Sequence, residues 1–329
     1  MGFSEPITST VAVADAAVPQ TADDLSRRMH VPRVKRFVRS AVFTLLRFSG
    51  LPFLIRELWQ RNRVTIVTYH ELDPAHADVH FLTLRARYNV ISLSHFLAAR
   101  SSRTVESLPR KALIITLDDG HRSNFDLRSV IEKHRIPVTI FLCSGIVGTH
   151  RHYWWLHTKD AREAQALKAL PDEQRVQVLL SRGHADGQEY ETRQSLSRDE
   201  ITAMKSIVDF QSHTVLHPIL PACSIERARS EIVASKEALE SEHGLKIYAL
   251  AYPNGDYSDR EASLLQQAGY ACGLTLDAGS NDAHTDPFRL RRVALPDDAR
   301  INEVIVKTSG LWAFLKAFAS KRTTLGQAC

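Results

Sequence analysis

The sequence has few cysteines and no pattern that would join them. Its four cysteines, Cys143, Cys223, Cys272 and Cys329, are far apart and include no Cys-x-x-Cys pair. Small secreted domains that rely on disulfide bonds carry a dense cysteine framework. The absence of such a framework argues against a disulfide scaffold and favours a reducing compartment.

The sequence also lacks an apolar run that could span a bilayer, which takes about 20 residues. Residues 1–22 contain no basic stretch leading into an apolar one, so we expect no secretory signal there and a cytoplasmic location. The apolar stretch at 41–55 is broken by Arg47, Gly50 and Pro52, and basic residues precede it. Such a segment can lie on the anionic inner face of the cytoplasmic membrane, or it can be a helix that packs on the main domain.

The charge distribution does not indicate a nucleic-acid partner. The net charge is +5, but basic and acidic residues are interspersed through most of the chain. The sequence contains no internal repeat and no low-complexity tract, and no feature of it indicates an oligomeric state.

Short β-branched runs alternate with helical patterns from Val64 onward. The runs are VTIVTYH, ALIITLDDG, VTIFLC, VDFQSH and YALAYP, which begin at residues 64, 112, 138, 208 and 248. Between them lie stretches with helical periodicity, of which residues 224–243 are the longest. This alternation predicts an α/β fold with a parallel sheet, open or closed into a barrel, and with helices outside it.

The chain divides into four parts. Residues 1–30 are small and polar without periodicity and are predicted to be a disordered leader. Residues 31–60 form a basic amphipathic helical segment, 61–300 form the main domain, and 301–329 form an apolar helix that docks on the domain, followed by a tail. A charged stretch at 158–206 separates the third and fourth runs and is predicted to be a helical insertion.

Two motifs at predicted strand ends carry side chains that bind metals. Asp118 and Asp119 directly follow ALIITL, and His213 and His217 follow VDFQS. Side chains at the carboxyl ends of parallel strands face the usual active-site end of such folds. Each motif alone is common in ordinary turns, but together they predict a catalytic metal site, because two histidines and one aspartate leave positions for water and substrate. The ligand set suits Zn²⁺, with Co²⁺, Ni²⁺ and Mn²⁺ as alternatives.

These segments, in this order, resemble the polysaccharide deacetylase (NodB-homology) family, which is carbohydrate esterase family 4. The resemblance runs from about Thr65 to Leu295. It includes TYHEL, TLDDGHRSNFD, RIPVTIFLCSG, SHTVLHPIL, ERARSEIVASKEALE, AYPNGDYSD, QQAGYACGLTLDAG and DPFRLRRVAL. It implies a distorted (β/α)7-type barrel of parallel strands, here with an N-terminal helical extension, and hydrolysis of N-acetyl or O-acetyl groups on sugars.

The resemblance also implies roles for the residues of the two motifs. Asp118 corresponds to the catalytic base, and Asp119, His213 and His217 correspond to the metal ligands. In this chemistry the metal polarises the acetyl carbonyl, while the base removes a proton from the attacking water.

Two further segments are candidates for substrate contacts. The motif AYPNG closes another predicted strand as a turn that can present a backbone N–H to a ligand, although an ordinary loop can have the same sequence. By the resemblance, the N–H of Asn254 stabilises the oxyanion, and Tyr252 and Pro253 bind the substrate. Trp154 and Trp155 follow the third strand, where such rings either stack on sugars or pack under the insertion.

The sequence departs from the family pattern at two places. Ala251 stands where many members carry an arginine that orients the base. Arg292 is the candidate replacement, and a surface or fold-stabilising arginine is the alternative. The C-terminal Leu-x-His segment that supplies the general acid in many members is missing. His70 is the first candidate for that role and His284 is the second, with a structural histidine as the alternative for both.

The sequence therefore predicts a metal-dependent deacetylase that releases acetate from N-acetylhexosamine units of a polysaccharide or of a lipid-linked glycan precursor. Its partner would be carbohydrate, in exopolysaccharide or lipopolysaccharide assembly. Two alternatives stay open: an amide hydrolase of the same fold that acts on a small non-sugar substrate, and a catalytically silent carbohydrate-binding scaffold.

Overall fold

The computed structural model describes residues 33–325, and its centre is a sheet of eight strands. The strands are β1 (Val64–Tyr69), β2 (Asn89–Val90), β3 (Ala112–Leu117), β4 (Val138–Leu142), β5 (Val208–Ser212), β6 (Ala249–Ala251), β7 (Cys272–Leu274) and β8 (Val293–Ala294). Five of them lie within the β-branched runs of the sequence. The other three, β2, β7 and β8, have only two or three residues, which is too short for a periodic pattern.

All strand pairs in the sheet are parallel, in the order β7-β6-β5-β4-β3-β1-β8, with β2 beside β3. The central strands β1 and β3 pair from Val64 with Ala112 to Tyr69 with Leu117. Because the strands are parallel and in register, the residues that follow them lie at one common edge. Asp118 follows β3 at this carboxyl edge, and His213 follows β5.

The sheet curls until its two ends approach each other. Leu290 bridges to Leu274 of β7, and three residues later β8 pairs with β1. The segment 290–294 therefore connects one end of the sheet to the other and carries Arg292 into the interior. The result is the distorted barrel of parallel strands that the sequence predicts.

Alternate residues of the strands face two separate apolar clusters. In β3, Leu113 and Leu117 belong to one cluster, and Ala112 and Ile114 belong to the other. Every residue of β1, β3 and β4 is buried. Burial on both faces explains why these strands are continuous apolar runs and do not alternate with polar residues.

Helices surround the sheet, and polar residues at their first turns explain where several of them begin. The helices are α1 (Arg33–Phe48), α2 (Leu51–Leu54), α3 (Pro74–Arg85), α4 (Leu93–Ser101), α5 (Arg128–His134), α6 (Ala161–Lys168), α7 (Asp172–Leu180), α8 (Arg198–Met204), α9 (Ile225–His243), α10 (Asp259–Gln267), α11 (Ile301–Thr308) and α12 (Leu311–Leu325). The Asp73 carboxylate accepts backbone N–H groups at the start of α3. Ser197 and Ser258 form capping boxes at the starts of α8 and α10.

The ends of the chain pack on each other beside the barrel. Arg39 of α1 donates two hydrogen bonds of 2.9 Å to the Glu303 carboxylate of α11. Phe43 of α1 is buried against Val306 and Leu311. Where the sequence predicts one apolar helix after residue 301, the structure has α11 and α12, because Gly310 with φ 82° separates them. The leader predicted at 1–30 lies outside the described residues.

Candidate active site

The loop after β3 holds two adjacent aspartates by a tight turn. Asp119 and Gly120 have left-handed φ values of 72° and 75°. A Cβ atom on Gly120 would lie 2.6 Å from the Leu142 side chain, so the turn requires glycine in conformation and in space. Because the backbone reverses here, the Asp118 side chain pairs with Arg292, and the Asp119 side chain faces His213 and His217.

Asp119 faces the two histidines that the sequence predicts as its fellow ligands. Its Oδ1 lies 3.3 Å from His213 Nε2 and 3.4 Å from His217 Nε2. The three ligand atoms lie within 4.8 Å of one another, and all three residues are buried. The structure therefore brings together Asp119, His213 and His217 from two separate loops.

Hydrogen bonds orient the histidine loop. His213 Nδ1 donates to the Ala251 carbonyl at 2.7 Å, which leaves Nε2 with the lone pair directed at the site. The Glu231 carboxylate accepts the backbone N–H groups of Val215 and Leu216 at 2.7 and 2.9 Å. Residue 217 has φ 56°, so the loop reverses and directs the His217 ring back toward Asp119.

This group of residues fits a divalent cation. Asp119 Oδ1 is buried and accepts no hydrogen bond, although buried polar atoms in proteins nearly always have a partner. Atoms about 2.0 to 2.1 Å from a zinc ion in a tetrahedral arrangement lie about 3.4 Å apart. The two separations of Asp119 Oδ1 from the histidine nitrogens, 3.3 and 3.4 Å, match this value. Two imidazoles and a carboxylate are also ligands that zinc and similar transition metals accept. Asp119, His213 and His217 would hold the ion.

Asp118 is paired with an arginine from the far end of the domain. Arg292 Nη1 donates to Asp118 Oδ1 at 2.7 Å, and Nη2 donates to Oδ2 at 2.8 Å. The arginine side chain is fully buried, and its Nε donates to the Thr275 carbonyl. Burial alone would raise the pKa of Asp118, but the charge and hydrogen bonds of Arg292, together with the charges of the nearby histidines, outweigh it, and the pKa is lowered. Asp118 is therefore a charged, oriented carboxylate at neutral pH.

Comparison with known sequences gives the family. Residues 106–273, just over half of the 329 residues, match the sequence profile of polysaccharide deacetylases. The chain belongs to the polysaccharide deacetylase family. Members of this family are hydrolases that act on amide bonds of polysaccharides, and this chain is accordingly a carbon–nitrogen hydrolase of sugar polymers. No curated protein sequence matches the chain.

Solved structures of similar fold cover most of this deacetylase. Streptococcus pyogenes deacetylase PplD in complex with acetate has a TM-score of 0.56 at 18% identity, and the alignment covers 75% of this chain and 98% of the PplD chain. IcaB from Ammonifex degensii has a TM-score of 0.56 at 19% identity, with 75% and 97% covered. A de-N-acetylase from Aggregatibacter actinomycetemcomitans has a TM-score of 0.52 at 16% identity, with 74% and 98% covered. At these identities the likeness shows the shared fold.

The two histidines considered as general acid lie at opposite ends of the barrel. His70 directly follows β1, and its backbone N–H donates to Asp297 Oδ1 at 3.0 Å. It lies close enough to Asp118 for its charge to lower the pKa of that carboxyl. His284 is exposed and lies three residues after Asn281, which pairs with Val64 at the opposite end of β1. A six-residue strand is about 20 Å long, so His284 cannot reach the site.

Three of the four side chains predicted to bind substrate are buried, and the fourth is partly exposed. Tyr252 is fully buried and donates its hydroxyl to the Phe288 carbonyl at 2.9 Å, and Pro253 is buried beside it. Trp154 is buried and donates its Nε1–H to the His217 carbonyl at 3.1 Å, so it supports the loop that carries His213 and His217. Trp155 is only partly buried, and its ring lies 4.7 Å from the His217 ring, edge to face.

The turn at Asn254 lies beside the site and contacts the insertion. Asn254 has φ 57° in the short turn that follows β6. Its side-chain oxygen accepts a hydrogen bond of 2.8 Å from Lys168 Nζ at the end of α6. The role of its backbone N–H as oxyanion donor stays a prediction.

Two residues of the site are absent from the sequence analysis. His121 Nε2 lies 3.0 Å from Asp119 Oδ2, and the ring is buried against Tyr153. Its position two residues after Asp119 in the sequence could have indicated this contact. Burial lowers the pKa of Lys168, while the Asp119 carboxylate attracts its charge, so this insertion lysine lies within electrostatic reach of the site. No motif marked Lys168.

Proposed function

We propose that this deacetylase is metal-dependent and removes acetyl groups from N-acetylhexosamine units of a polysaccharide or of a lipid-linked glycan precursor. One observation carries the proposal: a carboxylate held in a bidentate pair, Asp118 with Arg292, stands next to a ligand set whose Asp119 Oδ1 has no hydrogen-bond donor. The first feature provides a base, and the second provides a place for a cation.

The site residues divide the work of amide hydrolysis. Asp119, His213 and His217 would hold a divalent metal, with zinc as the first choice, and this ion would supply Lewis-acid polarisation and lower the pKa of water toward neutrality. Asp118 accepts the proton of the attacking water. Arg292 keeps both oxygens of Asp118 in one orientation and keeps the carboxylate charged.

The leaving amine needs a proton, and two groups are available for it. His70 is the predicted acid and lies within electrostatic reach of Asp118. The oxyanion of the tetrahedral intermediate would accept the backbone N–H of Asn254. The partly buried Trp155 ring offers a flat apolar surface next to the His217 ring, where a sugar can stack. The second group that could protonate the leaving amine is Lys168, whose Nζ donates a hydrogen bond to the Asn254 side chain.

An N-acetyl substrate is favoured by the fold relatives, among which one is described as a de-N-acetylase. The polymer, its chain length and a cytoplasmic location stay predictions. A place in exopolysaccharide or lipopolysaccharide assembly follows from the family and from that predicted location.

The test is acetate release from N-acetylglucosamine oligomers by the zinc-loaded protein. We expect release that a chelator abolishes and that Asp118→Asn lowers by about 10²- to 10⁴-fold. Asp199→Asn, in the exposed first turn of α8, is the matched control and should retain full activity.

Acetate release that neither the chelator nor Asp118→Asn affects would contradict the mechanism. Release from a small acetylated amide but from no sugar oligomer would favour the non-sugar hydrolase. Stoichiometric zinc binding without release from either substrate would favour the silent scaffold.

A further inference from the structure

Large exposed apolar side chains are concentrated in two segments of the described chain. Seventeen such side chains are exposed among the described residues, and thirteen of them lie at 37–59 or 314–318. Phe37, Leu45 and Leu58 are 75 to 78% exposed. Single apolar residues scattered over a surface are ordinary, whereas a concentrated set marks an interaction site. We call the exposed apolar residues of these two segments the apolar flank.

The two segments form one continuous surface. The rings of Phe43 in α1 and Trp312 in α12 lie 4.9 Å apart, and a groove between the helices is lined by Val38, Val42 and Lys316. α1 turns its Phe43 face toward α11, and apolar residues on its other faces, such as Phe37 and Leu45, stay exposed in the described chain. A helix that only packs on a domain needs a single apolar stripe.

The flank also carries the positive charge of the molecule. Residues 33–63 contain eight basic residues and one acidic residue, Glu57, a net charge of +7. Residues 311–325, which end the described chain, contain three basic residues and no acidic one, a net charge of +3. Because the whole chain has +5, everything outside these two segments sums to −5. The interspersed charge of the full sequence therefore hides a strong local asymmetry.

Cations and aromatic rings alternate along this surface. The guanidinium groups of Arg47 and Arg63 lie 5.6 Å from the Phe48 ring centroid and 5.4 Å from that of Trp59. Glu57 is already paired with Arg56 and Lys111. Aromatic rings next to long basic side chains suit the boundary between lipid headgroups and acyl chains.

We propose that the apolar flank binds the surface of an anionic lipid bilayer, with α1 and α2 lying in the interface and α12 beside them. A second copy of this chain is a poorer occupant, because a self-complementary contact would bring two strongly cationic surfaces together. The rows of basic residues and exposed rings match anionic headgroups above an apolar layer.

The geometry favours a helix pair that lies on the bilayer. Among the described residues no single helix is long and apolar enough to cross a membrane, although Arg36–Phe48 and Leu51–Trp59, bent by 59°, reach that length and composition together. α1 is tied to the domain by the Arg39–Glu303 pair and by buried Phe43. Insertion across the membrane would break both contacts, whereas binding along the surface keeps them.

Sedimentation of the full chain with lipid vesicles tests the proposal. One set of vesicles is phosphatidylcholine, and the other contains about 30% phosphatidylglycerol. We expect binding to the anionic vesicles, weakened by salt. Phe37→Glu with Leu45→Glu should lower the partition coefficient at least about tenfold. Val79→Glu with Leu82→Glu is the matched control, because it adds the same charge at residues of α3 that are 50 and 59% exposed.

Equal loss of binding in the control pair, or no preference for anionic over neutral vesicles, would overturn the proposal. So would the absence of binding to either vesicle. A concentration-dependent dimer that Phe37→Glu with Leu45→Glu dissociates would assign the flank to a second copy instead. Neither pair of substitutions touches the catalytic site, so both variants should release acetate from soluble oligomers at the wild-type rate. A failure of membrane binding can therefore be distinguished from a failure of the proposed deacetylase activity.

Discussion

The active site and the apolar flank depart from the usual distribution of side chains in opposite directions. At the site, Asp118, Asp119 and Arg292 are charged and buried, whereas at the flank Phe37 and Leu45 are apolar and exposed. Most of the buried charge at the site has a partner, since Asp118 pairs with Arg292 and His121 contacts Asp119, and only Asp119 Oδ1 has no hydrogen bond. At the flank, most of the exposed apolar surface is not covered by other residues of the described chain.

The two regions have different requirements for a partner from outside the chain. Burying a charge costs several kcal/mol unless a partner accompanies it, so the site must be assembled before any ligand arrives. An exposed phenylalanine costs little in the folded chain, and burying it on a partner gains roughly 1.5 to 3 kcal/mol. Changes at the site should therefore affect folding and activity together, and changes at the flank should affect binding alone.

Removing the arginine of the buried pair should have the largest effect. Arg292→Met leaves the Asp118 carboxylate buried without a cation, and we expect the free energy of unfolding at pH 7 to fall by about 3 to 5 kcal/mol. Urea denaturation measures it. Arg289→Met is the matched control, because that side chain is 39% exposed and pairs with Asp259 at the surface.

The stability that the Asp118–Arg292 pair contributes should depend on pH. Arg292 lowers the pKa of Asp118 in the folded state, so the pair contributes stability above the ordinary value of 3.8 and loses it as the pH falls through the lower folded value. The gap between wild type and Arg292→Met should narrow on acidification. A gap within about 1 kcal/mol of the Arg289→Met control at pH 7 would contradict the pairing.

Two substitutions in α1 should distinguish the face of this helix that packs on the domain from the face that is exposed. Phe43→Ala removes a ring buried against Val306 and Leu311 and should destabilise the docked helix by about 3 to 5 kcal/mol. Leu45→Ala, at a position 75% exposed, should change the free energy of unfolding by less than about 0.5 kcal/mol. Equal effects in urea denaturation would mean that the flank is covered in the isolated chain.

Adding a metal should stabilise the site further. At a free zinc concentration about 100 times the Kd, the free energy of unfolding should rise by about 2.7 kcal/mol, and a chelator should reverse the rise. His217→Gln removes a ligand and should abolish it. His95→Gln, at an exposed position, should keep it. An unchanged rise in His217→Gln would exclude the predicted ligand set.

The insertion should show the smallest effect, on acidification. Burial lowers the pKa of His157 to about 3 and that of His184 to about 4. The two rings stack 3.9 Å apart, and His184 Nδ1 accepts the Tyr190 hydroxyl. Because the unfolded histidines protonate near pH 6.5, the folded insertion loses stability as the pH falls below that value.

Limited proteolysis between residues 158 and 196, compared at pH 7 and pH 5, measures this loss. His157→Phe has one ionisable ring fewer and should show a weaker pH dependence. A steeper dependence in His157→Phe than in wild type would contradict the assignment.

The sequence predicted best what is local. Asp118 and Asp119 follow one apolar run, and His213 and His217 follow another, so parallel strands alone bring them to the same edge. Arg292 could only be a candidate, because it is 174 residues from Asp118 and their contact depends on closure of the barrel. β7 and β8, which take part in that closure, have only three and two residues and carry no periodic pattern.

Side-chain direction could not be predicted from the sequence at two of the candidate substrate positions. Trp154 and Tyr252 lie near the loop that carries His213 and His217, and their rings point into the core, where backbone carbonyls accept their polar hydrogens. Lys168 was missed because it comes from the insertion, 86 residues before its partner Asn254. The basic helical segment was predicted, with packing and membrane contact as alternatives, and the structure shows that one face packs while other faces stay free.

Two adjacent substitutions distinguish the proposed role of Asp118 as a base from that of Asp119 as a metal ligand. Equilibrium zinc binding and acetate release from N-acetylglucosamine oligomers are measured on Asp118→Asn and Asp119→Asn. We predict that Asp118→Asn keeps stoichiometric zinc but loses acetate release, and that Asp119→Asn loses both. Acetate release at the wild-type rate by zinc-loaded Asp118→Asn, or full zinc affinity in Asp119→Asn, would contradict the account.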